Sequence, residues 1–475
     1  MSSAVPAAAS GVTFDPDALD PRILGNELVS AQAFADGARI HRALDALRAA
    51  GQPVWVTPDN FRPFWAVGKH AHIMQASTDQ TNWINRRRLT LMSRAQEAAA
   101  FKGAERYGAV LRTLIHMDEP DHKHYRAVTQ GWFTGGAVRG QQAMLEALAA
   151  EYLGKLDAAA GAGGGDGKLG ATAGVGSSGG SNSSAGTEGT EGTIDFASEI
   201  ATQYPLRVIM AILGVPVEDL DLMHRLTKTL AAPQDPDFGS DVDVGASLFD
   251  SIPLFTEYFL KMMEDRRRHP RDDLASVIAN GQIKGGPMGE LETVSYYITM
   301  AVAGHDTTAA AIAGGCLALA ERPDQWARLK QHPGMLRTAA DEMIRWVTPI
   351  KHFMRTAVRD CTLGGQAIKE GESITMYYLA GNRDADVFDA PFEFRVDRTP
   401  NRHLAFGFGA HVCLGMVLSR LELTTLFGAL LRKVTSLEPA GAARLVETNF
   451  LGGYKSVPIR YRLADKAAAH PVTQG

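Results

Sequence analysis

The chain has 475 residues, of which 45% are hydrophobic and 21% charged, with a formal net charge of -5. That balance is globular: it excludes a largely disordered chain and a protein built of membrane spans, and a slightly acidic total offers no electrostatic footprint for nucleic acid. Length alone suggests roughly three domains of about 150 residues each, whereas the order of the motifs below argues for a single domain over 1–475. Three widely spaced cysteines, Cys316, Cys361 and Cys413, make no disulfide framework and fit a reducing, cytoplasmic setting. Residues 1–30 carry no basic segment followed by an apolar run, so neither a signal peptide nor a membrane anchor is expected.

Strand-like runs at 54–57 and 64–67 come first. Arg86, Arg87 and Arg88 lie in mixed sequence and read as a solvated face, as do Arg266, Arg267 and Arg268 further on. After Pro120, His122 and Arg126 stand four apart and share a helical face. With His116 and His124 nearby they invite a metal site, but no cysteine or tight carboxylate set completes one. A helix is expected over 144–156. Between 161 and 192, 13 of 32 residues are Gly and most others are Ala, Ser, Thr or Glu. Such a segment has too little apolar area to order itself, and reads as a flexible insertion that lengthens one loop at modest closure entropy. Apolar residues resume at 194–215 and stop at Gly214-Val215-Pro216. Helical periodicity returns at 252–268, 291–320, 335–346 and 414–431, with strand-like pieces at 356–363, 373–378 and 457–461. Helix dominates, with a minor sheet, and no internal repeat is visible.

Three segments carry chemistry. The long apolar run 291–320 reads as a central buried helix, yet Gly304-His305-Asp306-Thr307-Thr308 interrupts it. Polar groups buried there are costly unless paired. A Thr307 hydroxyl can bond the Ala303 carbonyl and open the local ladder, which leaves a groove beside an acid and an alcohol. Glu342 and Arg345, three apart, share a helical face and can pair. In Phe406-Gly407-Phe408-Gly409-Ala410-His411-Val412-Cys413-Leu414-Gly415, glycines at 407, 409 and 415 allow backbone geometry closed to other residues and let amide N–H groups approach the sulfur of Cys413. A lone cysteine in a strand-to-helix turn is also what an inert buried thiol looks like.

The full pattern F-G-x-G-x-H-x-C-x-G resembles the haem-binding loop of the cytochrome P-450 superfamily, and Ala303-Gly304-His305-Asp306-Thr307-Thr308 resembles that superfamily's oxygen-activation motif. The resemblance runs from about residue 53 to 461, with motifs in the family's order. It is closer at Thr348-Pro349-Ile350-Lys351-His352-Phe353-Met354-Arg355-Thr356-Ala357, Asn401-Arg402-His403-Leu404-Ala405-Phe406-Gly407 and Thr448-Asn449-Phe450-Leu451-Gly452-Gly453, which look like the bacterial alpha-terpineol hydroxylase subfamily. It implies a mainly helical triangular prism with a minor β-sheet, and haem b, ligated by Cys413, between the central long helix and the helix after the cysteine loop. By the same match Asp306 is the acid, Thr307 the alcohol, and Gly304 leaves room for dioxygen. His122, Arg126, Arg355 and His411 meet the haem propionates, and Phe406, Gly409 and Gly415 shape the haem loop. Glu342 and Arg345 join Arg398 in a structural brace. Thr299, Val302, Ala303, Ile350, Phe353, Phe450 and Leu451 line the substrate pocket.

The implied activity is hydroxylation of a small hydrophobic substrate, a cyclic monoterpene or alkyl-substituted aromatic. Dioxygen and two electrons are consumed, the electrons coming from a soluble ferredoxin served by a flavin-dependent reductase. Lys123 and Arg112 would form the ferredoxin face of a monomer that binds neither nucleic acid nor membrane. A peroxide-driven haem-thiolate enzyme and a non-catalytic haem-based sensor remain as alternatives.

Overall fold

A computed structural model describes residues 20–99, 111–161, 190–231, 235–237 and 244–465. Helices α1 (Pro21–Val29) and α2 (Gly37–Ala49) begin at aspartates whose carboxylates accept first-turn N–H groups, Asp20 from Arg22 and Ile23 and Asp36 from Arg39. They pack on a five-stranded sheet of β1 (Val54–Val56), β2 (Phe64–Val67), β3 (Trp83–Ile84), β5 (His352–Ala357) and β6 (Ser373–Tyr377), in the order β1-β2-β6-β5-β3. Helix α3 (His70–Thr78) follows β2. The helical body contains α4 (Asp121–Gln130), α5 (Gln142–Gly161), α6 (Gln203–Leu213), α7 (Leu220–Ala231), α8 (Val244–Arg268), α9 (Glu290–Ala303), α10 (Asp306–Ala320), α11 (Leu336–Val347) and α12 (Met416–Lys433). A second sheet places β8 (Pro458–Leu463) between β7 (Val434–Pro439) and β4 (Glu191–Asp195).

The expected helical body with a minor sheet is what forms. Helix α6 stops where the sequence predicts: Gly214 has φ +76°, and a Cβ there would meet Asp273 Oδ2 at 2.4 Å. The long helix 291–320 is instead two helices, α9 and α10, separated by Gly304 and His305. His305 takes φ -126° and ψ -48°, its Nδ1–H bonds the Ala301 carbonyl at 2.9 Å, and Thr307 Oγ1 bonds the Ala303 carbonyl at 3.3 Å. Side chains thus replace part of the backbone ladder, which is why the helix divides there.

Three readings of the sequence need correction. The strand expected at 356–363 is two: β5 ends at Ala357, and Cys361–Leu363 pairs with Gln366–Ile368 across Gly364 and Gly365, both at positive φ. The bounds 161–192 expected for the insertion do not hold at either end. Gly161 closes α5 and Glu191 opens β4, where Gly192 pairs with Tyr461 and Ile194 with Ile459; residues 162–189 lie outside the described residues. Nor is 266–268 a solvated face throughout. Arg266 is buried, with Nε on Asp273 at 2.7 Å and Nη2 on the Gly214 carbonyl, and Arg267 bonds the carbonyls of Ala279 and Met288.

One hydrophobic cluster joins residues from both sides of that segment, Leu145 to Leu156 on α5 with Phe196, Leu213, Ile312, Leu426 and Tyr461. Among the described residues no helix is long and apolar enough to cross a membrane.

Candidate functional site

Between the α9–α10 break and the loop before α12 lies a cavity of about 420 Å³. Its floor is the cysteine loop. Gly407 and Gly409 have φ +68° and +74°, and a Cβ on Gly409 would strike the Ser77 carbonyl at the end of α3 at 2.3 Å, so only glycine lets the loop pack there. The Phe406 carbonyl accepts the Cys413 N–H at 2.8 Å and turns the thiol toward the cavity. Of the three cysteines Cys413 alone lines it, and its accessible surface opens into this space. Burial pushes its pKa up, and the Gly415 N–H, Arg126 and Arg420 pull against that. The N-terminus of α12 adds a further positive pole. Gly415 is not needed for backbone shape: its φ is -85° and a Cβ there would meet nothing within 4 Å, so its part is the N–H on the sulfur. Phe406 lines the cavity beneath the Arg420 guanidinium, 4.8 Å from its ring centroid.

The rim beside this loop carries two arginines and two histidines. His122 and Arg126 from α4, Arg355 from β5 and His411 all line the cavity, as the sequence predicts. The His122 and His411 rings lie 3.9 Å apart at 32°. Burial pushes His411 down to about 2, helped by His122, Arg355 and Arg126; burial likewise lowers Arg355 and His122. Two neighbours went unpredicted. Asn85 donates its amide to His411 Nε2 at 2.9 Å, and Tyr378 lines the cavity near Arg355. Neither has a local signal, since each reaches the site from a distant segment.

This donor set fits haem. His122 Nε2 is buried without a hydrogen-bond partner, and Arg126 and Arg355 face a cavity whose lining has, among the described residues, one carboxylate side chain, Glu422 on α12. A thiol on the floor with donors gathered along one rim suits a flat ligand carrying an iron at its centre and carboxylates at its edge.

Opposite Cys413, Thr307 lines the cavity but the Asp306 carboxylate does not. Asp306 turns to a second cavity of about 20 Å³, room for one water, shared with Lys228, Ala310 and Tyr454. Its Oδ1 meets Lys228 Nζ at 2.5 Å and His305 Nε2 at 3.2 Å, while Oδ2 is buried without a partner. Burial opposes its ionisation, but the His305 and Lys228 charges win and hold Asp306 far below the usual carboxylate range. Gly304 lines the cavity, and a Cβ there would meet Ile209 Cγ1 at 2.4 Å and the Met300 carbonyl at 2.6 Å, so its missing side chain also allows the close approach of α6. Thr299, Val302, Ala303, Ile350, Phe353, Phe450 and Leu451 all line the cavity.

Behind the loop, Glu342 and Arg345 are fully buried and bidentate, at 2.7 and 2.8 Å. Arg398 Nε reaches both Glu342 oxygens at 3.1 and 3.0 Å, and its terminal nitrogens bond the carbonyls of Asp389, Ala390 and Glu393. The expected brace is therefore assembled. His352, which the sequence does not single out, ties three segments around the cavity: Nε2 accepts the Leu91 N–H at 2.9 Å, Nδ1–H donates to the Asn449 carbonyl at 3.0 Å, and the ring meets Phe450. On the outer face of α4, Lys123 is exposed. Arg112, with its side chain 42% exposed, pairs with Glu292 at 2.6 Å and Asp121 at 2.8 Å.

A family model described as Cytochrome P450 matches residues 207–450. The chain is 34% identical over 459 residues to Cytochrome P450-terp of a Pseudomonas species, covering 95% of this chain and 100% of that protein. It is 33% identical over 356 residues to a steroid C26-monooxygenase of Mycolicibacterium smegmatis, covering 75% of this chain and 74% of the other. The crystal structure of CYP108D1 from Novosphingobium aromaticivorans superposes with a TM-score of 0.80 at 36% identity, over 94% of this chain and 99% of that one.

Proposed function

Because the chain belongs to the cytochrome P-450 family and is a haem-thiolate monooxygenase, we propose that it hydroxylates a small apolar molecule, a cyclic monoterpene or an alkyl-substituted aromatic, with electrons from a ferredoxin and its flavin-dependent reductase. The observation that carries the substrate class is the cavity wall: Val302, Ala303, Ile350, Phe353, Phe450 and Leu451 are apolar, and Thr299 has its hydroxyl spent on the Ser295 carbonyl at 2.7 Å. The similarity to P450-terp along nearly the whole chain supports the same class.

Bound here, haem iron supplies reduction of dioxygen and insertion of one of its atoms into a C–H bond. Cys413 would hold the iron as a thiolate, with the Gly415 N–H spreading the sulfur's charge. Arg126 and Arg355 would pair with the haem propionates, with His122 and His411 as further donors beside them. The apolar wall positions the substrate and excludes water. Thr307 places its hydroxyl, bonded to the Ala303 carbonyl, at the cavity, while the Asp306 carboxylate, held ionised by Lys228 and His305, faces a one-water pocket on the other side of the break.

Titrating the haem-loaded protein with monoterpenes, alkylbenzenes and a steroid, and reading the low-spin to high-spin optical shift, tests the substrate class. A shift with the small ligands is expected. Response to the steroid alone, or to none of them, would overturn the assignment.

A further inference from the structure

We propose that Asn85 is a positioning residue for the haem: it fixes which ring nitrogen of His411 carries the proton, so that His411 meets a haem carboxylate with Nδ1–H and not with a lone pair. The inference rests on haem occupying the cavity and not on the substrate class. Asn85 is 2% exposed and follows β3, whose Trp83 and Ile84 pair with Ala357 and Thr356 of β5. Its backbone N–H is held by Asp118 Oδ1 at 2.6 Å, and the Asp118 carbonyl accepts the His122 N–H at 3.0 Å. The sheet and the start of α4 therefore anchor this residue together. Its side-chain nitrogen lies 3.1 Å from the Ile115 carbonyl and 2.9 Å from His411 Nε2.

The chemistry of those two neighbours leaves one arrangement. A carbonyl can only accept, so the atom facing Ile115 must be the amide nitrogen of Asn85 and not its oxygen. That nitrogen carries two N–H bonds, one for the Ile115 carbonyl and the other for His411. Nε2 must then accept, which leaves Nδ1 as the nitrogen that carries the ring proton. The His122 ring, 3.9 Å from that of His411 and at 32° to it, restrains the ring from turning. Among the described residues His411 Nδ1 has no hydrogen-bond partner, and His411 lines the cavity together with Arg126 and Arg355. Its N–H is thus kept for the ligand. Without Asn85 the proton could sit on either nitrogen, and the tautomer with Nε2–H would turn an Nδ1 lone pair on a carboxylate. Asn85 acts through His411 and touches no reacting atom.

Nitrogen NMR of the haem-loaded protein, labelled with 15N-histidine and held in its diamagnetic reduced carbon monoxide form, reads the tautomer of each ring. The His411 signals are assigned by their loss in His411→Gln. Unsubstituted protein should show a protonated Nδ1 and a bare Nε2 at His411. Asn85→Leu, close in size but without the amide, should give a mixture of tautomers. Asn85→Asp, which can only accept, should move the proton to Nε2. In both variants haem should pass to excess apomyoglobin about tenfold faster, the worth of one hydrogen bond to a charged group. The iron reduction potential should also fall, because a carboxylate without its donor is the more negative neighbour. Nε2–H at His411 in the unsubstituted protein overturns the proposal with no variant needed. Tautomer and potential unchanged in both variants overturn it as well. None of these readings requires turnover, so failure of the substrate assignment would show only in the optical titrations and is told apart from failure here.

Discussion

Asp306 and Thr307 are neighbours in the chain but face different spaces, Thr307 the large cavity and Asp306 a pocket the size of one water. Their losses should therefore differ in kind. Thr307→Ala removes the hydroxyl at the cavity itself: electrons should still be consumed, but product per electron pair should fall about tenfold and peroxide should rise. Asp306→Asn leaves the cavity hydroxyl in place and removes the carboxylate that pairs with Lys228 and His305, so turnover should slow with product per electron pair little changed. Measuring substrate consumption, product and peroxide in parallel separates the two; equal uncoupling in both variants would contradict the division of labour. At this scale Cys413, His122, Arg126, Arg355 and His411 were legible because each sits in a short local pattern. Asn85, Tyr378, His352 and Glu422 were not, because what defines them is contact between segments far apart in sequence. The separate facing of Asp306 was hidden as well, since it depends on how two half-helices rotate about Gly304 and His305.

The elements around the cavity are joined by buried polar ties, and two of them make measurable claims. His352 pins β5 to Leu91 and Asn449 in its neutral form, with burial holding it down to about 4 against an ordinary 6.5. Its folded pKa is depressed, so the unfolded chain binds the extra proton between those values. Stability from this group is complete above about 6.5 and is lost as pH falls toward 4, on the order of 3 kcal/mol in all. His352→Gln, which can keep a donor and an acceptor, should flatten this share of the acid loss in denaturant titrations between those pH values. His70, His116 and His224, also lowered by burial, retain theirs. The Glu342–Arg345–Arg398 brace joins α11 to the segment before the cysteine loop. Arg398→Ala leaves the buried Glu342 with one cation fewer and frees three carbonyls, a change costing about 3–5 kcal/mol. Haem content and melting temperature should drop together; full haem uptake would refute a bracing role. Helices were readable from periodicity, whereas the division of 356–363 was not, because a glycine-pair turn creates a separate hairpin there.

Over the whole molecule, the electrons have to arrive from outside, and α4 presents Lys123 to solvent while His122 and Arg126 turn to the cavity rim. Lys123→Glu should raise the ferredoxin concentration needed for half-maximal turnover without altering the substrate-induced optical shift, and the effect should shrink as salt is added. An unchanged requirement would remove Lys123 from the docking face. The fold class was legible because pattern and motif order agree across the chain. The true limits of the insertion were not, since Gly161, Glu191 and Gly192 have loop-like composition yet are recruited by α5 and by pairing with β8. Those limits have a practical side. Tyr461 bonds the Leu156 carbonyl at 2.6 Å, and a Cβ on Gly192 would come within 3.1 Å of Ala160 Cα, so α5 and β4 are clasped together wherever the chain between them goes. The described chain thus ends at Gly161 and resumes at Thr190 through neighbouring doors, and a short turn or a whole reporter domain spliced between them should leave the colour and spin state of the loaded enzyme as they were.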